Sequence, residues 1–310
     1  MNENSEKRHS ELTEAKLKEA KSLIKLFGLD YDGTVSDAEH KQPQVFALVE
    51  KIFAKNKSVA FITARAATAI KVLVPPLQEL LNRENVSVPS FVAGGNGTTL
   101  YEVKKNELIE IYNHGFDLPQ IKRAVEVGRK VYEKLGIGSA DLADKGLETF
   151  KKFLTESWDG YVPAEMIDVC RPFSGELFTE QAKVTFVLPK DKSLHPKVVA
   201  ELNESLGEEY RASAGDETYV HITRKLSEDS KTVAIKKILE ILNLRQTEVA
   251  TFGDMPTGND AGLLSFPYSF TNSDEFVDVK TEMEKPPYVL PGADLSPVDR
   301  VYKAIEYLIA

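Results

Sequence analysis

The stretch Leu26-Phe27-Gly28-Leu29-Asp30-Tyr31-Asp32-Gly33-Thr34-Val35-Ser36-Asp37 constrains the fold more than any other. An apolar run of strand character ends in two carboxylates two residues apart, then a glycine and a threonine. Side chains two apart on a strand share a face, roughly 6–7 Å apart, close enough to serve one ligand. A hairpin turn at Asp32-Gly33 needs a second strand directly after it. A polar stretch ending in Pro43 and then a helix-like segment follow instead. A calcium loop starting at Asp30 needs Gly at its sixth place and Glu at its twelfth, where Val35 and Lys41 stand. A solvated acidic turn remains as the bland reading, but the apolar segment before it reads as a buried strand.

The chain on either side repeats that grammar. Val45, Phe46, Leu48, Val49, Ile52 and Phe53 recur at helical steps. Ser58 to Thr63 is a second apolar strand, followed by a helical run from Ala66 to Val74 that Pro75-Pro76 interrupts. Phe91 to Ala93 is a third strand, and Thr98 to Val103 returns from the turn Gly94-Gly95-Asn96-Gly97. After a long interval Asp229-Ser230 caps a helix with apolar Val233, Ala234, Ile238, Ile241 and Leu242. Val249 to Phe252 is a strand, Tyr268 to Phe270 a last one, and Val298 to Ile309 a C-terminal amphipathic helix. Strands alternating with helices predict an α/β fold, a Rossmann-like parallel sheet with helices on both faces. Ligands bind such sheets beyond the carboxyl ends of the strands.

Residues 107–223 read differently, as an inserted α+β domain within a core of 23–106 and 224–310. A helix (Ile121, Ala124, Val125, Val127, Val131, Tyr132) leads into a polar stretch from Gly136 to Gly160. Ala182 to Leu188 and Thr218 to Thr223 alternate apolar and polar residues, with a helix at Pro196 to Leu206 between them. Alternation predicts one packed and one accessible face, the latter carrying Lys183, Thr185, Tyr219 and His221. Arg171 has no better claim to a site. Residues 1–22, rich in Glu, Lys and Ser, read as a solvated N-terminal extension.

At 310 residues the chain has ample core, and its net charge of −9 disfavours nucleic acid or an anionic membrane as partner. A small anionic substrate needs only a local positive pocket. One cysteine, Cys170, rules out an internal disulfide framework and fits a reducing, cytoplasmic compartment. No apolar stretch approaches a membrane span, and the five scattered histidines lack zinc-site spacing. The oligomeric state is not legible.

Distant residues converge on one edge of the predicted sheet: Asp30 and Asp32, Thr63, Lys231 opening a helix, and Asp254 with Asn259 and Asp260. A lysine in the first turn of a helix opposes the helix dipole, a disadvantage that an anion bound there removes. Carboxylates this dense need a cation, and oxygen ligands beside a phosphate suit Mg2+. A carboxylate could then attack phosphorus and form an aspartyl-phosphate.

Asp30-Tyr31-Asp32-Gly33-Thr34, Thr63 with Arg65 nearby, Lys231, and Gly253-Asp254 with Asn259-Asp260 resemble the four motifs of the haloacid dehalogenase superfamily. The insert resembles the large α/β cap of its Cof-like and sucrose-phosphatase-like branch. The resemblance implies a Mg2+-dependent phosphatase of a small phosphorylated metabolite, a sugar phosphate foremost. It makes Asp30 the nucleophile and Asp32 the general acid, then base. Thr63, Lys231 and Gly33 would bind the substrate phosphate. Asp30, the Asp32 carbonyl and Asp254 would hold the metal, with Asn259 and Asp260 as further ligand or behind it. Lys183, Thr185, Tyr219 and His221 would face the substrate from the cap. Two features depart from the pattern: four residues, Met255 to Gly258, stand where two are usual, and Thr-Ala-Arg replaces Thr-Gly-Arg. The longer loop looks more like phosphomannomutases and keeps a phosphomutase as the first alternative. A non-catalytic sugar-phosphate sensor is the second.

Overall fold

The computed structural model describes residues 3–65, 67–83, 86–144, 177–180, 183–214, 218–273, 286–292 and 294–310. Ala66, Cys170, Arg171, Ala182 and residues 145–160 of the glycine-punctuated stretch lie outside them. Backbone contacts divide the chain into one unit of Met1–Tyr112 with Asp229–Ala310 and another of Asn113–Glu228. The described strands are β1 (Leu26–Leu29), β2 (Ser58–Ile62), β3 (Ser90–Gly94), β4 (Thr99–Lys104), β5 (Glu107–Asn113), β6 (Leu177–Glu180), β7 (Lys183–Val187), β8 (Tyr210–Ala214), β9 (Tyr219–Arg224), β10 (Val249–Gly253), β11 (Tyr268–Thr271) and β12 (Tyr288–Val289). The described helices are α1 (Glu3–Ala20), α2 (Gln42–Phe53), α3 (Ala67–Arg83), α4 (Leu118–Lys134), α5 (His195–Leu206), α6 (Ser230–Leu242) and α7 (Pro297–Ile309).

The first unit is an eight-stranded sheet in the order β12-β11-β10-β1-β2-β3-β4-β5. Strands β12 through β3 are parallel, and β4 runs antiparallel to β3. This is the α/β architecture that the alternation predicts. β5 extends the sheet past β4, so the first unit runs to Tyr112, where the sequence places its break after residue 106.

Period-two alternation sorts the strand residues between two apolar layers. Phe27, Leu29, Phe61 and Phe252 pack with Val49 and Ile52 of α2 and Ile305 of α7. Leu26, Ala60, Ile62 and Val249 pack with Ala234, Ile235 and Ile238 of α6. Gly28 faces α6, and a Cβ there would stand 2.7 Å from Ile235 Cδ1. A bare backbone at this point lets α6 lie close on β1, which brings the helix start toward the strand end.

Two expectations fail here for identifiable reasons. Pro75-Pro76 does not interrupt α3, which runs unbroken to Arg83. Proline at 76 removes the N–H that the Val72 carbonyl would accept. The Gln42 side-chain amide donates to that carbonyl instead, at 2.5 Å. Nor is the N-terminal segment a solvated extension. Thr13, Leu17 and Ala20 of α1 are buried, and the Thr13 hydroxyl donates to the Val289 carbonyl of edge strand β12 at 2.9 Å. The helix covers a sheet edge that would otherwise offer unpaired backbone groups. Its many charges mask the short apolar stripe that docks.

The second unit holds an antiparallel sheet in the order β6-β7-β9-β8. Val184, Phe186, Val220 and Ile222 meet Ala124 and Val125 of α4 and Val198 and Leu202 of α5. The opposite face is not the accessible one expected: Lys183, Thr185 and His221 are buried, and Tyr219 is half-buried. Thr185 and His221 are register partners, and their Oγ1 and Nδ1 atoms lie 2.9 Å apart. Two buried polar groups satisfy each other there, which the alternation pattern could not distinguish from exposure. Burial, then the Lys183 charge, pushes the His221 pKa well down.

Leu17→Ala should destabilise the protein by about 2–5 kcal/mol, the cost of a cavity at a buried leucine. Urea denaturation checks this; a solvated extension would leave the midpoint unmoved.

Candidate functional site

The chain runs from β1 outward to β2 and β3, then returns to β10 on the other side of β1. The reversal opens a crevice at the carboxyl ends of β1 and β10. Asp30 lies directly after β1, its N–H donating to the Phe252 carbonyl at 3.0 Å, and Asp254 lies directly after β10. Thr63 follows β2 in the same way and is fully buried.

Lys231, in the first turn of α6, is the central cation, with no exposed surface. Its Nζ donates to Asp30 Oδ1 at 2.7 Å and to Asp260 Oδ1 at 2.5 Å. Asp260 Oδ2 accepts the Asp254 and Met255 N–H groups, both at 3.0 Å. Both Asp260 oxygens are thus engaged by the protein, and this residue stiffens the loop that carries Asp254. Burial acts to lower the lysine pKa, but Asp260 and Asp30 outweigh it and hold the ammonium above the ordinary range.

Three carboxylates face this one ammonium. Asp30, Asp254 and Asp260 each offer an oxygen, all within 4.8 Å of one another. Burial, then the charge of Asp260, pushes the Asp30 carboxyl well above its usual range against the pull of Lys231. The same two causes push Asp254 up to about 7. The donors are all oxygen, as a hard divalent cation requires. Asn259 Oδ1 adds a buried oxygen without a hydrogen-bond partner among the described residues. Asp30 and Asp254, with the Asn259 amide close in sequence, fit such an ion.

Gly33 makes room for this arrangement. Its φ is +79°, and a Cβ would stand 2.5 Å from Asp254 Oδ2, so only glycine suits the turn. The Thr34 hydroxyl, fully buried, lies 3.4 Å from Asp30 Oδ2 and 3.2 Å from Asp254 Oδ1.

Asp32 lies past the end of the strand, in the turn that follows it. β1 ends at Leu29, the chain turns, and the Asp32 side chain is 52% exposed. Arg65 holds both its oxygens, Nε to Oδ2 at 2.7 Å and Nη2 to Oδ1 at 2.5 Å. The guanidinium carbon lies 5.1 Å from the centre of the Tyr31 ring. Arg65 also donates its backbone N–H to Thr63 Oγ1 at 3.1 Å, so one residue contacts both Asp32 and Thr63. Asn96 joins this frame: its N–H donates to the Thr63 carbonyl at 2.8 Å, and its carbonyl accepts the Ser230 hydroxyl at 2.6 Å. The sequence pattern assigns no site role to Asn96 or to Asn272, whose Nδ2 donates to the Gly33 carbonyl at 3.0 Å. The position of Asn272 just past an apolar strand, like Asp254, was the available signal. Lys183, Thr185, Tyr219 and His221 belong to the second unit.

The family model of the haloacid dehalogenase-like hydrolases matches residues 27–269. The chain belongs to that family. As a haloacid dehalogenase-like hydrolase it is an enzyme, and it resembles solved structures over most of its length. One is a haloacid dehalogenase-like hydrolase from Bacteroides thetaiotaomicron, 18% identical, with a TM-score of 0.57, over 91% of this chain and 98% of that one. Another is the IMP-bound IMP-nucleotidase of Plasmodium falciparum, 11% identical, with a TM-score of 0.56, over 95% of this chain and 70% of that one. A third represents a phosphoryl-transfer superfamily with a trigonal-bipyramidal intermediate, 17% identical, TM-score 0.56, over 91% and 98% of the two chains. A search of curated proteins by sequence finds no match.

Lys231→Met should destabilise the protein by about 3–5 kcal/mol at neutral pH, because two carboxylates lose a buried partner. The deficit should narrow as pH falls, since a protonated Asp30 no longer needs the cation. Urea denaturation at several pH values checks both statements.

Proposed function

We propose that this hydrolase cleaves phosphate monoesters of small metabolites, sugar phosphates foremost, with Mg2+ held at Asp30 and Asp254. The observation that carries the reading is the buried Asp30 carboxylate, 2.7 Å from the ammonium that opens α6. Mg2+ bound there would offset the negative charge that repels a phosphate dianion from a carboxylate. The Asp32 carbonyl would complete its protein ligands, with Asn259 as a further one and Asp260 behind.

An Asp30 oxygen attacks phosphorus while the bond from phosphorus to the leaving alcohol oxygen breaks. Asp32 gives that oxygen its proton. Asp32 then takes a proton from the water that attacks the aspartyl-phosphate, and the phosphorus–Asp30 bond breaks to release phosphate. Lys231, the Thr63 hydroxyl and the turn at Gly33 bind the phosphoryl oxygens. Arg65 bonds to both Asp32 oxygens, so a proton-carrying Asp32 must exchange one of these bonds for the leaving group.

The inserted unit supports a cap reading, with Lys183, Thr185, Tyr219 and His221 as candidates for sensing the leaving group. Lys183, Thr185 and His221 are buried and Tyr219 half-buried, a packed polar cluster rather than open side chains. A phosphomutase is the second reading, favoured by the four residues between Asp254 and Asn259. The single cysteine supports a cytoplasmic setting.

Phosphate release should be assayed with Mg2+ across sugar phosphates, phosphoglycerate glycosides and nucleoside monophosphates, the last because one structural likeness is an IMP-nucleotidase. At least one class should be hydrolysed, and none would overturn the reading. Isomerisation of a hexose 1-phosphate with a bisphosphate activator, without free phosphate, would establish the mutase instead. Asp30→Asn should abolish turnover in a folded protein. Asp32→Asn should lower kcat about 10²–10⁴-fold, most for poor leaving groups.

A further inference from the structure

Asn272 follows β11 as Asp254 follows β10, and the last register pair of these strands is Gly253 with Thr271. Asp254 and Asn272 therefore leave the sheet side by side. Asn272 is 2% exposed, and its Nδ2 donates to the Gly33 carbonyl at 3.0 Å. Only the NH2 end of an amide can donate to a carbonyl, so its orientation is settled. The other end, Oδ1, is buried and lacks a hydrogen-bond partner among the described residues. Leucine would occupy a similar volume but could not donate to the Gly33 carbonyl, so the amide serves that bond.

The Gly33 carbonyl and the Thr34 N–H belong to one planar peptide. Holding that carbonyl fixes the peptide that follows a glycine with φ of +79°. The Thr34 hydroxyl beyond it has one proton and two carboxylate neighbours, Asp30 Oδ2 at 3.4 Å and Asp254 Oδ1 at 3.2 Å. These carboxylates come from β1 and β10, which no covalent link holds in step at their ends. We propose that Asn272 is a positioning residue of the carboxylate site. By fixing the Gly33–Thr34 peptide it sets the Thr34 hydroxyl, and with it the spacing of Asp30 and Asp254 at which a cation is held. The inference rests on the reading of this site as a Mg2+ site, not on the identity of the substrate.

Calorimetric titration of metal-free protein with Mg2+ tests it, on wild type, Asn272→Leu, Thr34→Val and the double variant, with thermal midpoints measured before metal addition. Asn272→Leu should bind Mg2+ about 10–100-fold more weakly, as loss of an outer support does, with a metal-free midpoint close to wild type. The double variant should bind no more weakly than the weaker single one, because both act through one peptide. Where a substrate is turned over, kcat should fall and KM hold. Unchanged Mg2+ affinity in Asn272→Leu overturns the proposal, as do multiplying losses in the double variant. A lowered midpoint with intact affinity does so too, since that marks a packing residue. Asn272→Ser, which shortens the side chain and keeps it polar, serves if the leucine variant does not fold, with the same outcomes deciding. Failure of wild type to bind Mg2+ overturns this proposal along with the metal site. Mg2+ binding without hydrolysis of any ester removes only the phosphatase reading.

Discussion

The buried ammonium of Lys231 is the interaction on which the site depends. It carries the only cation seen against Asp30 and Asp260 among the described ion pairs. An unpaired charge at zero exposure would be prohibitive, and so would the carboxylates without it. The pair also joins three elements that are far apart in sequence: the end of β1, the start of α6 and the loop after β10. Gly28 contributes from below, because the close approach of α6 to β1 puts the lysine within reach. The ion cluster and the helix packing are therefore one constraint.

Around this cluster the charge does not balance. One ammonium meets three carboxylates, and burial with mutual repulsion raises Asp30 and Asp254 above their usual ranges. Asp260 lies at the back of this arrangement. Its oxygens are taken by Lys231 and two backbone N–H groups, so it acts through the residues it holds.

Much of this was legible because parallel strands obey strong rules. Strands buried on both faces read as apolar runs, and the residue after such a run stands at the ligand edge. Asp30, Thr63 and Asp254 each follow such a run. Strand periodicity does not extend to Asp32, which stands in the turn after β1 with its side chain half exposed and paired with Arg65. Pro75 and Pro76 read as a helix break because the sequence does not reveal that Gln42 would meet the freed carbonyl. The polar face of the second sheet read as exposed because Thr185 and His221 look alike in sequence whether they meet water or each other.

The sequence by itself determined the α/β alternation of the core, its buried parallel strands and the carboxylates at their ends. Those follow from local periodicity and residue chemistry, which neighbours in the chain express directly. Tertiary structure alone decided which carboxylates share Lys231, that Asp32 pairs with Arg65, and that Asn272 holds the Gly33 turn. Each of these depends on groups 29 or more residues apart meeting at hydrogen-bond distance. A difference of an ångström or two there separates a bond from none, and no local pattern encodes it.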